Sequence, residues 1–94
     1  MKTTTLDLVL KGKWYDMIES GEKPEEYRDL SQHWVSRIWY NKDKIKAVRF
    51  HRGYTNTTMT LEVKGITAGR GNPQWGAPTD RDVIIIKLEA KDND

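Results

Sequence analysis

The chain has 94 residues, with 16 Lys or Arg against 14 Asp or Glu, so its net charge at pH 7 is +2. This length predicts a single domain over residues 1–94 with a modest core, and the absence of cysteine excludes disulfides, thiolate chemistry and Cys-based metal sites. No apolar run is long enough for a signal peptide or a membrane span, so we expect a cytoplasmic protein.

The first predicted elements are a strand and a helix. Residues 6–10 alternate as Leu-Asp-Leu-Val-Leu, which predicts a strand. Residues 11–20 bring tryptophan, methionine and isoleucine side chains to one side at helical spacing. Gly21 is a natural end for this helix, because glycine enters the left-handed region at little cost. Pro24 forbids its continuation and favours an extended chain.

Residues 30–40 are compatible with two local structures. Asp29 or Ser31 is a suitable cap for a short helix that carries Trp34 and Trp39. The other interpretation is an irregular crossover between strands.

The second half is predicted to be β structure. Residues 45–51 form a charged strand, a turn follows, and residues 57–66 alternate regularly between apolar and polar side chains. A Gly- and Pro-rich loop at residues 68–80 surrounds Trp75. Residues 83–88 form a last strand that is apolar on both faces, so we expect it to be central in the sheet or covered by the helix.

About five short strands with one clear helix indicate an α+β, mainly β fold, with residues 30–40 as the candidate for a second short helix. Long-range pairing of short strands favours a small split β-barrel, since closure removes exposed edges. An open α+β sheet is the alternative.

Charged residues follow the first helix in a G-x-K-x-x-E-x-R pattern made by Gly21, Lys23, Glu26 and Arg28. If residues 24–28 are extended, Glu26 and Arg28 point to the same face, because side chains alternate across a strand. Lys23 lies in the turn that leads into this strand. The pattern predicts an ammonium, a carboxylate and a guanidinium around one small concave site.

This motif, after a strand and a capped helix in a chain of this length, resembles the ASCH family, whose domains are similar to PUA domains. The resemblance covers most of the chain and extends to the strands around Arg49 and at residues 61–63 and 86–88. It implies a PUA-like split barrel that binds RNA, or acts on nucleotides, in a cleft beside the helix. The ligand-binding residues are then Gly21, Lys23, Glu26 and Arg28. Trp75 is a further candidate, because its place in the Gly- and Pro-rich loop suits a lid that stacks on a base.

The resemblance also implies an alternative activity. Some small bacterial members are amidohydrolases of N4-acylated cytidine, with a lysine matching Lys23 as base, a threonine matching Glu26 as nucleophile, and a glutamate from a helical insertion. Here Glu26 offers no hydroxyl, and a short loop stands in place of the insertion. Binding is therefore favoured, and Lys23 and Glu26 are catalytic only if the chain is an enzyme. A protein-interaction or regulatory domain is a third alternative.

Each of these side chains also has a structural alternative. Lys23 is a general base, a donor to a base or phosphate, or simply the ion-pair partner of Glu26. Glu26 accepts from an exocyclic amine, as on cytosine or adenine, or holds its basic neighbours in place. Arg28 binds a phosphate or a base edge, or bridges to Glu26. Trp75 is a stacking lid over a base or a plug over one end of the barrel.

A basic run between residues 37 and 52 contains a single acid. It predicts a face that binds the phosphates of nucleic acid, the alternative being a solvated surface. The predicted backbone contacts are Lys44, Lys46, Arg49 and Arg52. Trp34, Trp39 and Tyr54 stack on RNA or cover the seam between helix and barrel.

The two histidines, His33 and His51, show no metal-ligand spacing, and no phosphate-binding loop or dinucleotide fingerprint is present. We expect no metal and no cofactor. The expected partner is RNA, a nucleotide or a nucleoside, with no membrane association and a monomeric chain.

Overall fold

The computed structural model describes residues 3–90, which form five strands, two α-helices and two 3₁₀ turns. The elements are β1 (Thr4–Leu10), α1 (Gly12–Glu19), β2 (Glu25–Asp29), α2 (Gln32–Arg37), β3 (Ile45–Arg52), β4 (Thr58–Gly69) and β5 (Val83–Leu88), with 3₁₀ turns at Trp39–Asn41 and Pro73–Trp75. The predicted strands and first helix are confirmed. A second helix also forms, because Ser31 caps it by accepting a hydrogen bond from the Trp34 amide. The irregular crossover is therefore wrong for Gln32–Arg37.

The sheet has the order β1-β3-β4-β5-β2, with β1 and β3 parallel and the other pairs antiparallel. The long strand β4 serves both halves: residues 58–62 pair with β3, and residues 63–69 pair with β5. A register shift between Val63 and Gly65 separates the two halves. Such an irregularity bends a strand and increases its twist. The predicted small, mainly β fold is confirmed as a five-stranded sheet curled into a half-barrel.

The inner face of this sheet holds the main apolar core. Val48, Phe50, Ile84 and Ile86 are fully buried there. Helix α1 contributes Ile18, as its spacing predicts, together with Tyr15, while the predicted Trp14 and Met17 are only half-buried. Helix α1 thus covers the core with a face rotated slightly from the predicted one.

The outer face of β5 carries a second, smaller apolar cluster. Val83 and Ile85 contact Tyr27, Ala77 and the half-buried Trp75. The strand is apolar on both faces because it is central, as predicted, and because the loop at residues 70–78, rather than a helix, covers its outer face.

Two glycines allow this loop to lie close to the sheet and helix. A Cβ at Gly71 would lie 2.7 Å from the Tyr27 ring, and one at Gly76 would lie 3.2 Å from the Trp14 ring. Gly76 also has a φ of +97°, which favours glycine.

The edge strands β1 and β2 face each other across the split of the half-barrel. Arg28 spans the split by donating from its Nη2 to the Val9 carbonyl oxygen at 3.3 Å. The candidate site lies beside this contact. No helix in residues 3–90 is long and apolar enough to cross a membrane.

Truncation of a core side chain on β5 should show how much stability the inner core supplies. Ile86→Ala is expected to lower the free energy of unfolding by about 2–5 kcal/mol, because it removes a fully buried side chain and leaves a cavity. Urea unfolding followed by fluorescence measures this loss. Lys87→Ala, exposed on the same strand, is the control and should stay within about 0.5 kcal/mol of the parent.

Candidate functional site

The site begins at the turn between α1 and β2. Gly21, with a φ of +88°, ends the helix as predicted, and the Lys23 amide donates back to the Met17 carbonyl at 3.0 Å. Strand β2 then pairs with β5, which places Glu26 opposite Ile86 and Arg28 opposite Ile84.

Three charged side chains meet here in a continuous chain of ion pairs. Lys23 Nζ lies 2.9 Å from Glu26 Oε1, and Arg28 Nη2 lies 2.9 Å from Glu26 Oε2. Lys23 is 1% exposed and Glu26 is 6% exposed. The structure therefore brings together the ammonium, carboxylate and guanidinium of the motif, with the first two almost fully buried.

The Lys23 ammonium has further partners inside the protein. It donates to the carbonyl oxygen of Glu25, and it lies 5.0 Å from the centre of the Tyr27 ring and 5.8 Å from that of Trp14. Backbone oxygen, carboxylate and aromatic faces thus surround this cation. Such partners offset the cost of taking an ammonium out of water.

A cavity of about 230 Å³ lies beside the ion pairs, at the split between β1 and β2. We call it the cleft, and its lining residues are Val9, Leu10, Lys11, Trp14, Glu26, Tyr27, Arg28, Trp75 and Gly76. Among the predicted ligand-binding residues, Glu26, Arg28 and Trp75 line the cleft. Lys23 and Gly21 do not; they line a separate cavity of about 220 Å³ with Pro24 and Ile18.

Tyr27 is a cleft residue that sequence reasoning did not find. Its hydroxyl donates to Glu25 Oε1 at 2.8 Å and accepts from the Asn72 amide at 3.0 Å. The bond from Asn72 ties strand β2 to the loop that carries Trp75, and the bond to Glu25 fixes the Tyr27 hydroxyl within β2. Burial, and then the neighbouring Glu25 carboxylate, raises the pKa of Tyr27 to about 12, although the Asn72 hydrogen bond opposes the rise.

Trp14 is the second cleft residue that was missed. Its place in the apolar stripe of α1 indicated a core residue, and no local signal showed that the distant loop would contact it. The ring is half-buried, with Lys13 Nζ 4.7 Å from its centre and Gly76 against its edge. Trp14 and Trp75 therefore bring two indole rings to one cavity.

The predicted basic face is divided by ion pairs. Arg49 lies 3.3 Å from Asp7, and Arg52 makes two hydrogen bonds to Asp16, at 2.9 and 3.0 Å. Lys44 and Lys46 are exposed and lie at the opposite end of β3, where Lys44 immediately precedes the strand. Lys46 lies five positions before His51, which pairs with the cleft residue Val9, so at about 3.3 Å per residue Lys46 is on the order of 17 Å from that pairing.

The other predicted stacking residues lie outside the cleft. Trp34 packs against the main core, with the Arg28 guanidinium 5.0 Å from its ring centre. Trp39 is half-buried and lies 4.7 Å from Lys42 Nζ. Tyr54 is fully exposed at the turn between β3 and β4.

Asp7 of β1 forms a surface cluster with two side chains of the neighbouring strand β3. It accepts from Arg49 and lies 2.8 Å from His51 Nε2. The hydrogen bond with His51, more than the charge of Arg49, lowers the pKa of Asp7. Within residues 3–90, no three His, Asp or Glu side chains come close enough together to hold a metal ion.

Comparison with models of protein families, with curated proteins and with solved structures finds no match to this chain.

The environment of Tyr27 predicts a loss of stability at alkaline pH. The unfolded chain releases this proton near pH 10, whereas the folded protein keeps it until about pH 12. The unfolded state therefore binds fewer protons between these values, and the free energy of unfolding must fall as the pH rises through them. Below pH 10 the contribution of this group is constant.

The measurement is urea unfolding at several pH values between about 9 and about 12, for the parent and Tyr27→Phe. All other ionisable groups are the same in both proteins, so the difference between the two curves isolates Tyr27. The stability advantage of the parent should shrink with rising pH. A difference that stays constant would contradict the raised pKa.

Proposed function

We propose that this chain is an RNA- or nucleotide-binding module of the ASCH family, which recognises one base or nucleotide in the cleft. The observation that carries the proposal is the buried Lys23–Glu26–Arg28 chain of ion pairs beside a cavity with two tryptophans. What supports the family is the G-x-K-x-x-E-x-R motif and its position after a strand and a glycine-ended helix.

The chemistry of the cleft suits a planar, polar ligand. Indole rings bind bases by stacking, which contributes about 1–3 kcal/mol per base. Glu26 supplies an acceptor for an exocyclic amine, and Arg28 supplies donors for a base edge or a phosphate. A cavity of about 230 Å³ is small for a drug-sized ligand and suits a fragment such as one base.

The charge balance favours an anionic ligand. Lys11 and Arg28 line the cleft and Lys23 lies next to it, against the single carboxylate of Glu26 among the lining residues. An excess of positive charge beside a partly enclosed cavity attracts phosphate groups.

The contacts of the motif favour binding over hydrolysis. Lys23, the candidate base, is buried and donates to Glu26 and to the Glu25 carbonyl. Both carboxylate oxygens of Glu26 already accept from cations. Among the residues lining the cleft, the only hydroxyl is that of Tyr27, which is bonded to Glu25 and Asn72. Lys23, Glu26 and the residues lining the cleft therefore offer neither a free nucleophile nor a free base for amide cleavage.

An amide chemical-shift titration tests the proposal. Short single-stranded RNAs, cytidine and N4-acetylcytidine are added in turn to the labelled protein. We expect shifts centred on Glu26, Arg28 and the indole N–H groups of Trp14 and Trp75, with each ligand intact. Conversion of N4-acetylcytidine would instead favour the hydrolase, and no shift with any ligand would favour a protein-interaction domain.

Trp75→Ala should weaken binding of the ligand that gives the largest shifts by about 5- to 150-fold, the equivalent of one stacked base. Tyr40→Ala removes an exposed aromatic side chain that lines none of the cavities described here, and it should leave the affinity unchanged. Equal affinities of the two variants would contradict a stacking role for Trp75.

The basic residues of β3 should contribute to the binding of longer RNA strands only. Because Lys44 and Lys46 lie at the end of β3 that is far from the cleft, we expect Lys44→Ala/Lys46→Ala to leave the affinity for a dinucleotide unchanged. The same variant should weaken binding of an RNA of about ten nucleotides and reduce its salt dependence, since fewer counterions are released. Fluorescence titrations at several salt concentrations measure both effects. An unchanged salt dependence with the longer RNA would exclude these lysines as phosphate contacts.

A further inference from the structure

A second cavity adjoins the cleft on the other side of Arg28. We call it the side cavity, and it measures about 190 Å³. Its lining residues are Tyr27, Arg28, Asp29, Trp34, Gly76, Pro78 and Val83. Tyr27, Arg28 and Gly76 line both cavities, so the two spaces follow β2 side by side and are bounded by the same loop.

Arg28 joins the two cavities and has donor capacity left over. Its Nη2 donates to Glu26 and to the Val9 carbonyl, on the side of the cleft. Its Nε is buried and has no hydrogen-bond partner within residues 3–90. Buried polar groups are rarely left without a partner, because desolvation without a hydrogen bond costs about 1–3 kcal/mol. A ligand that binds between the cavities would lie against this guanidinium, because Arg28 lines both of them.

The side cavity repeats the chemistry of the cleft. Trp34 supplies an aromatic wall, as Trp14 and Trp75 do next door. Asp29 supplies a carboxylate, as Glu26 does, and Arg81 Nη2 lies 3.5 Å from it. Each cavity therefore combines an indole ring with an acceptor for an exocyclic amine, and Arg28 lies between them.

We infer that the two cavities take two successive nucleotides of one single strand, with the linking phosphodiester at Arg28. One base stacks in the cleft, and its neighbour packs against the part of the Trp34 ring that lines the side cavity. This inference rests on the proposed function and narrows it: the ligand is a strand of at least two nucleotides, rather than a free nucleoside or mononucleotide. The carboxylates favour cytosine or adenine in both cavities.

The experiment compares the affinities of 5′-CMP, 3′-CMP and the dinucleotide CpC, measured by quenching of tryptophan fluorescence or by calorimetry. The mononucleotides carry a phosphate but only one base, so the difference in affinity between them and CpC measures the contribution of the second base. We expect CpC to bind about 5- to 150-fold more tightly than either mononucleotide, the gain from one more stacked base. A CpC analogue with an uncharged methylphosphonate link should bind more weakly than CpC itself, because it removes the charge that faces Arg28.

Trp34→Ala should abolish the advantage of CpC over CMP, so that this variant binds the two ligands with equal affinity. Because Trp34 also packs against the core, Trp34→Phe serves as the second variant, and it should keep most of the gain by keeping an aromatic ring. The comparison of CpC with CMP on the parent protein tests the inference even if the alanine variant fails to fold.

The outcomes separate this inference from the proposed function. Equal affinities for CMP and CpC would overturn the inference that the two cavities take two successive nucleotides. The proposal that the cleft recognises a single base would not be affected. A gain for CpC that survives in folded Trp34→Ala would overturn the assignment of the second base to the side cavity. Binding of neither ligand, with shifts for no RNA in the amide titration, would overturn both proposals.

Discussion

The ion pair between Lys23 and Glu26 is the constraint on which the rest of the site depends. Each of these groups would cost several kcal/mol to bury alone, so neither tolerates the loss of the other. The pair is enclosed by the rings of Trp14 and Tyr27 and by the backbone of Glu25. The turn between α1 and β2 is therefore fixed by electrostatics as well as by apolar packing.

The same charges also connect the two edges of the half-barrel. Glu26 holds Arg28 through its second oxygen, and Arg28 reaches the Val9 carbonyl on β1. The side chain of Arg28 thus joins β1 and β2 in place of a ladder of backbone hydrogen bonds. Because the edges are linked at a point rather than along their length, space remains beside Arg28 for both cavities.

The loop at residues 70–78 completes the site from the outer face. It covers Val83 and Ile85 on β5 and is tied to β2 through the Tyr27 hydroxyl. The burial of a second apolar cluster therefore also sets the position of Trp75. A change in this small cluster would be transmitted to the wall of the cleft without touching a charged residue.

Much of the fold could be predicted because its signals are local. Alternation identified β1 and β4, and an apolar run identified β5. Gly21 ended the first helix, and strand geometry put Glu26 and Arg28 on one face. The depth of Lys23 could not be predicted, since only the packing of Trp14 and Tyr27 around it removes it from water. Two of the predicted phosphate contacts are paired with acids 42 and 36 positions away, Arg49 with Asp7 and Arg52 with Asp16, and spacing along the chain gives no sign of such pairing.

The sheet order has a consequence for synthesis on the ribosome. Strand β2 pairs with β5, with Glu25 opposite Lys87, whereas β3 and β4 are joined by a short turn. The charged motif leaves the ribosome first, yet its strand partner is made about 60 residues later, which takes on the order of 3–12 seconds. Until β5 is made, β2 lacks the strand with which it pairs, so the cleft cannot take the form described here before that strand joins the sheet.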